Sequence, residues 1–139
     1  YGLVSWARDV YKRQLFVLTG SILAVAHVLS LKLFLYWQYP WLDIPMHALG
    51  GAFIALSVFS IYDLRPSFPK RLLLPIPTLL LVLLVALGWE VFELGIGIPI
   101  EASYEIDTSI DLVMGMLGGV VGYMMGYSFS TLDLNEEIA

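Results

Sequence analysis

Long apolar segments, separated by short polar ones, constrain this chain more strongly than any other feature of its sequence. Of its 139 residues, 59% are hydrophobic and 14% are charged, whereas a soluble domain has about 25% charged residues. Four segments approach the roughly 20 residues that a helix needs to cross a bilayer: Leu15–Tyr36, Ile44–Tyr62, Pro77–Gly95 and Ser109–Phe129. We therefore predict an all-α polytopic membrane protein, in which residues 15–129 form a compact bundle of four transmembrane helices within a lipid bilayer.

The two ends of the chain are expected to lie outside this domain. Residue 1 is Tyr rather than Met, which suggests a fragment, and Ser5–Gln14 resembles translated adapter sequence. We interpret residues 1–14 as a non-native leader and residues 130–139 as a short acidic tail. A cleaved signal peptide is the alternative for the first span, because Ala24–Ala26 fits a cleavage site, although the apolar run continues beyond it.

The positive charges indicate an orientation. The loop between the second and third spans carries Arg65, Lys70 and Arg71, so the positive-inside rule places it in the cytoplasm. Both termini are then cytoplasmic, and we expect a multi-pass protein of a bacterial or archaeal cell (inner) membrane. This orientation puts seven of the twelve acidic residues, and one histidine, on the outer side: Asp43, Glu90, Glu93, Glu101, Glu105, Asp107, Asp111 and His47.

Two glutamates near the end of the third span are the strongest candidates for a functional site. Glu90 and Glu93 are three residues apart and share one helix face. A carboxylate inside a span costs roughly 2.5–3.5 kcal/mol at the bilayer centre and marks a functional site when it faces the protein interior. The last turns of a helix disfavour anions, so neither glutamate has a capping role there. Interfacial solvation is the remaining structural explanation.

The second and fourth spans carry matching polar stripes. Asp43 and His47 lie on one face of the second span, and Asp107 and Asp111 lie on one face of the fourth. All of these groups fall within about 10 Å of the outer boundary, because a helix rises about 1.5 Å per residue. Glycines at small-xxx-small spacing in the fourth span permit close helix contact, which would draw the stripes together or support a homo-oligomer.

Structural explanations compete for several of these residues. Asp43 precedes Pro45 and has the character of an N-cap, and Thr108–Asp111 has the spacing of a capping box. Asp107 fits a loop or cap equally well. His47 could be a hydrogen-bonded interior histidine. For the remaining polar residues we expect simpler roles. His27 should form a helix–helix hydrogen bond, and Glu101 and Glu105 should lie on a solvated loop face.

Several carboxylates at one depth need a counter-charge or must be partly protonated. A proton relay, a bound divalent cation and a cationic substrate are the three solutions, and the cation is the preferred one. Carboxylates suit Mg²⁺, Ca²⁺ or Mn²⁺, and a histidine admits Zn²⁺. The candidate metal ligands are Asp43, His47, Glu90, Glu93, Asp107 and Asp111, and the candidate catalytic residues are Glu90, Glu93 and His47.

Three motifs in order carry a resemblance to known families. They are Asp43-x-x-x-His47-x-x-Gly50, then Trp89-Glu90-x-x-Glu93, then Asp107-Thr108-x-x-Asp111-Leu112 before a glycine-rich span. This order resembles the YjdF-like family of bacterial inner-membrane proteins of unknown function and is more distantly similar to the VanZ-like family. The VanZ-like arginine before the paired aspartates and the glutamine after the glutamate are absent. The resemblance implies the site residues and no defined reaction.

These observations predict cation-dependent binding or hydrolysis of an envelope lipid head group. A small ion- or proton-coupled transporter is the first alternative, with Ser57, Ser60 and Thr78 as the main polar candidates for a path across the inner half. A structural or assembly subunit, in which the acids are caps and interface groups, is the second. No nucleic-acid partner is expected.

Overall fold

A computed structural model of the chain describes residues 2–65, 67–96 and 104–130. Its regular elements there are all helical, and four of the helices are long and apolar enough to span a membrane. The helices are α1 (Gly2–Lys32), α2 (Leu35–Gln38), α3 (Asp43–Leu64), α4 (Pro75–Ile96) and α5 (Tyr104–Ser128), with 3₁₀ helices at Pro40–Leu42 and Lys70–Leu73. The predicted all-α fold with four membrane-spanning helices is confirmed.

Helix bounds differ from the expected ones for local reasons. The first helix ends at Lys32 rather than Tyr36, because the chain turns at Phe34, which takes the left-handed conformation with φ 55°. Helix α4 begins at Pro75 and not at Pro77, since a proline fits the first helical position, where no N–H partner is needed. Helix α5 begins at Tyr104, five residues before Ser109.

The two helix caps that were the structural alternatives for Asp43 and Asp111 are not formed. Leu42 occupies the N-cap position of α3 and makes no side-chain cap hydrogen bond, so Asp43 is the first residue of the helix rather than its cap. The early start of α5 puts Thr108 and Asp111 inside the helix, where a capping box cannot form. Glu105, expected in a loop, is an exposed residue of the first turn of α5, and Glu101 lies outside the described residues.

Helices α3 and α5 make the closest contact in the bundle, and glycine is what allows it. A Cβ atom at Gly51 would overlap the carbonyl oxygen of Gly115, and one at Gly118 would overlap the carbonyl oxygen of Ala48. The glycine face of α5 is therefore covered by α3 of the same chain. A homo-oligomer through α5 stays a prediction, and it would have to use the opposite, exposed face of that helix.

The far end of the bundle, near the end of α3 and the start of α4, is closed by an apolar cluster. Val58, Phe59 and Leu73 are buried there, with Tyr123 packed against them. The opposite end of the bundle is polar. There the start of α3, the end of α4 and the start of α5 lie together and bring Asp43, Glu90 and Asp111 close to His47.

Helix α1 is attached to the side of α3. The rings of Phe16 and Phe53 stack with centroids 5.0 Å apart, and Lys12 Nζ lies 2.7 Å from Asp63 Oδ2. Lys12, which sequence reasoning set aside as part of the leader, has 2% of its surface exposed. The helix runs without interruption through residues 2–14, and their interpretation as a non-native leader stays a prediction.

Candidate metal centre

The imidazole of His47 lies among carboxylates from three helices. Its Nε2 atom is 3.6 Å from Asp43 Oδ1 on α3 and 3.9 Å from Asp111 Oδ2 on α5. Its Nδ1 atom is 3.9 Å from Glu90 Oε1 on α4. The two ring nitrogens therefore face two different sets of carboxylates, one on each side of the ring.

The glycine contact between α3 and α5 explains why these side chains meet. His47 lies one turn before Gly51 on the same face of α3, and Asp111 lies one turn before Gly115 on α5. Because the backbones touch at Gly51 and Gly115, the side chains one turn away are held within a few ångströms of each other. Asp43, four residues before His47, extends the same face.

The carboxylates of this cluster are buried. Asp43, Glu90 and Asp111 expose 7%, 5% and 2% of their surface. Asp111 Oδ1 is fully buried and accepts no hydrogen bond from any residue that the structure describes. Burying an ionised carboxylate is costly unless the charge is paired or coordinates a metal. A cation beside Asp111 would compensate the burial of its carboxylate.

Two neighbouring side chains hold the glutamates. Thr108 Oγ1 donates a hydrogen bond of 2.9 Å to Glu90 Oε2, and Trp89 Nε1 donates one of 2.7 Å to Glu93 Oε1. Sequence reasoning missed both roles. The four-residue spacing of Trp89 and Glu93 on one helix face could have indicated their hydrogen bond. The hydrogen bond from Thr108 to Glu90 could not be predicted in this way, because it depends on how α4 and α5 pack.

Five of the six predicted metal ligands come together. Asp43, His47 and Asp111 form one group whose ligand atoms all lie within 4.8 Å of one another, and His47, Glu90 and Glu93 form a second. Both groups share His47. Asp107, the sixth, belongs to neither group and lies in the first turn of α5, where the helix dipole favours an acid.

The spacing in the first group suits a metal ion better than direct hydrogen bonds. Distances of 3.6 and 3.9 Å from His47 Nε2 to the two aspartates are too long for hydrogen bonds. Ligands that each lie 2.0–2.2 Å from one cation stand about 3–4.5 Å apart. One imidazole and two carboxylates can thus hold a divalent cation and leave coordination positions open.

Residues of α1 and α2 lie beside Trp89 on the glutamate side of the cluster. His27 Nδ1 lies 2.9 Å from the hydroxyl of Tyr36, and its ring contacts Trp89 edge-on at 5.8 Å. His27 therefore hydrogen-bonds to the short helix α2, which follows its own span, and a hydrogen bond to another membrane-spanning helix stays a prediction. Burial, together with the charge of Asp43, raises the pKa of Tyr36 to about 12, so this phenol is neutral at ordinary pH.

A family model described as "Predicted membrane protein (DUF2238)" matches residues 2–131. None of the curated proteins and none of the solved structures gives a significant match. The match supports the expected membrane family of unknown function. It does not support the YjdF-like or VanZ-like name, and these stay predictions from the motifs.

Proposed function

The chain belongs to the DUF2238 family of predicted membrane proteins, and from its site we propose that it binds a divalent cation through Asp43, His47 and Asp111. The observation that carries this proposal is the buried Oδ1 atom of Asp111. This atom has no hydrogen-bond donor among the described residues, and it belongs to a side chain that faces an imidazole and a second buried carboxylate.

Charge supports the same conclusion. His47 faces Asp43, Glu90 and Asp111, and one imidazolium cannot neutralise three carboxylates. A divalent cation would supply the missing positive charge and would replace the lost hydration of the buried oxygens. The mixture of one nitrogen and carboxylate oxygens favours Zn²⁺ or Mn²⁺ over Ca²⁺, which prefers six to eight oxygen ligands.

The open coordination positions indicate the class of ligand. Three protein ligands and an open position are typical of catalytic rather than structural zinc sites. We propose that the phosphate of an envelope lipid head group completes the site, at the outer surface of a cell (inner) membrane. A bound cation there would polarise a phosphoryl oxygen. Glu93, oriented by Trp89, would then be the carboxylate placed to accept a proton during hydrolysis.

The same structure gives less support to a transport path. Ser57, Ser60 and Thr78 were its main polar candidates, and each donates its hydroxyl proton to a backbone carbonyl at 2.6–3.0 Å. These hydroxyls are therefore engaged locally. The apolar cluster at the far end of the bundle, around Phe59 and Leu73, also separates the polar end from the other surface. A purely structural role is weakened because neither Asp43 nor Asp111 caps a helix.

Thermal unfolding in detergent tests the cation site. Protein stripped with a chelator is titrated with Zn²⁺, Mn²⁺, Mg²⁺ or Ca²⁺, and the matched variants are Asp111→Asn and Glu105→Gln, an exposed acid on the same helix. A cation at 100 times its Kd should stabilise the wild type and Glu105→Gln by about 2.7 kcal/mol. Asp111→Asn should show no such gain. A wild type that responds to none of the four cations would refute the proposal.

A second measurement tests the head-group ligand. Vesicles containing phosphatidylglycerol or phosphatidylethanolamine are incubated with cation-loaded protein. Bound lipid is assayed, and so is the head group that hydrolysis releases, either phosphorylated or as the free alcohol. Wild type should retain or cleave lipid only with the cation present, and Asp111→Asn should do neither. If the protein binds the cation but neither retains nor cleaves lipid, the head-group proposal is wrong and only the cation-binding proposal stands.

A further inference from the structure

We propose that Glu90 is a positioning residue, which fixes the orientation and tautomer of His47 so that Nε2 is the nitrogen that binds the cation. This inference rests on the proposed function. It assigns Glu90 a role different from that of a metal ligand, although the carboxylate belongs to one of the two possible ligand groups.

The two nitrogens of His47 face opposite sides. Nε2 faces Asp43 and Asp111, and Nδ1 faces Glu90 Oε1 at 3.9 Å. A neutral imidazole that binds a metal through one nitrogen carries its proton on the other. That N–H usually donates to a carboxylate or carbonyl, which holds the ring in place and strengthens it as a ligand. Glu90 is the carboxylate that faces this position.

Geometry indicates which of the two groups holds the cation. Nε2 of His47 faces two buried carboxylates, those of Asp43 and Asp111, whereas Nδ1 faces the carboxylate of Glu90 at 3.9 Å. In the group of His47, Glu90 and Glu93, both glutamates also accept hydrogen bonds, from Thr108 and Trp89. We therefore place the cation on the Nε2 side of the ring, with Glu90 behind the ring.

Thr108 completes the arrangement. Its hydroxyl donates to Glu90 Oε2 at 2.9 Å, which leaves Oε1 directed at His47. The series Thr108, Glu90, His47 links one residue each from α5, α4 and α3. Helix α4 would thus control the affinity of a site whose ligands all come from α3 and α5.

Cation affinity tests this assignment, with Zn²⁺ alone as the probe and a competing chelator dye as the readout. Loss of the carboxylate in Glu90→Gln should weaken Zn²⁺ binding about 10–100-fold, the usual effect of removing such a partner. Thr108→Val should weaken it less, and Thr108→Ser, which keeps the hydroxyl, should restore it. Asp111→Asn should abolish binding.

Nitrogen NMR gives a readout that a merely structural role would not change. The chain has two histidines, so a ¹⁵N-histidine sample shows two rings, and His27 serves as the internal reference. With Zn²⁺ bound to wild-type protein, Nε2 of His47 should show the coordinated shift and Nδ1 should carry the proton. Because this experiment uses the wild-type protein, it tests the proposal even if Glu90→Gln does not fold.

The outcomes separate the two proposals. Coordination through Nδ1, loss of binding in Glu90→Gln as complete as in Asp111→Asn, or unchanged affinity in Glu90→Gln would each overturn the positioning role while leaving the cation site in place. A wild type that binds no Zn²⁺ and none of the other cations would overturn both.

Discussion

Asp111 illustrates how the surroundings of one residue decide its role. In the sequence it fits the last position of a capping box, and in the structure it lies inside α5 with 2% of its surface exposed. A cap would be solvated and bonded to backbone N–H groups. A buried carboxylate with an oxygen that lacks a donor among the described residues would instead be stabilised by a bound cation, and this difference supports the proposed function.

Tyr36 gives a prediction for pH. The ordinary pKa of tyrosine is about 10, and in this fold it is about 12, because burial and Asp43 disfavour the phenolate. A raised pKa means that the stabilisation from the neutral phenol is complete below about pH 10 and is lost as the pH rises to about 12. The unfolding free energy of the wild type should therefore fall across this range, and that of Tyr36→Phe should fall less.

Unfolding by a denaturing detergent at a series of pH values measures this difference. Tyr39→Phe is the matched control, since Tyr39 is 49% exposed and lies three residues away. It should follow the wild type. Parallel pH dependences for wild type and Tyr36→Phe would show that Tyr36 is not the group responsible.

At the scale of helices, the contact between α3 and α5 sets the geometry of the site. The contact depends on the absence of a side chain at Gly51, whereas Gly50, the preceding residue of the same helix, has nothing within 4 Å of a Cβ atom built there. Neighbouring glycines in one helix thus have opposite roles, and a comparison between them isolates the effect of helix approach.

We expect Gly51→Ala to destabilise the protein by about 1–3 kcal/mol, because the added methyl group forces the backbones apart. It should also weaken cation binding, since Asp111 would move away from His47. Gly50→Ala should be neutral or stabilising by about 0.5–1 kcal/mol, the usual gain from replacing glycine inside a helix. Unfolding curves and Zn²⁺ titrations of both variants test this, and equal effects would contradict the packing argument.

At the scale of the whole molecule, the site lies at one end of a four-helix bundle and the apolar cluster closes the other. The proposed orientation puts the site outside and the basic loop between α3 and α4 inside. This loop holds Arg65, Lys70 and Arg71. The accessible side of the site decides which leaflet could supply its ligand.

Because the chain contains no cysteine, single cysteines report the orientation directly. We expect Tyr39→Cys, near the polar end, to react with a membrane-impermeant maleimide in intact cells. Ser67→Cys, in the basic loop, should react only after the membrane is permeabilised. The reverse labelling pattern would invert the topology and place the site in the cytoplasm.

The span-length segments and the common level of the polar groups along the helices were predictable from the sequence. Apolar length and helical rise are local properties, so the membrane-spanning helices and the level of Asp43, His47, Glu90 and Asp111 followed from spacing alone. Helix starts were less predictable, because Thr108 and Asp43 each satisfy the local rules for a cap in a position that packing assigns to the helix interior.

Only the tertiary structure decided which of these groups meet. Helical spacing puts Asp107 and Asp111 on one stripe, yet Asp111 alone of the two belongs to a ligand group. Which nitrogen of His47 faces the aspartates, and which donor holds Glu90, depend on the rotation of each helix about its axis. Glycine contacts between helices set that rotation. The glycine spacing predicted that the fourth span packs closely, but it could not identify the partner residues, because these are distant in the chain.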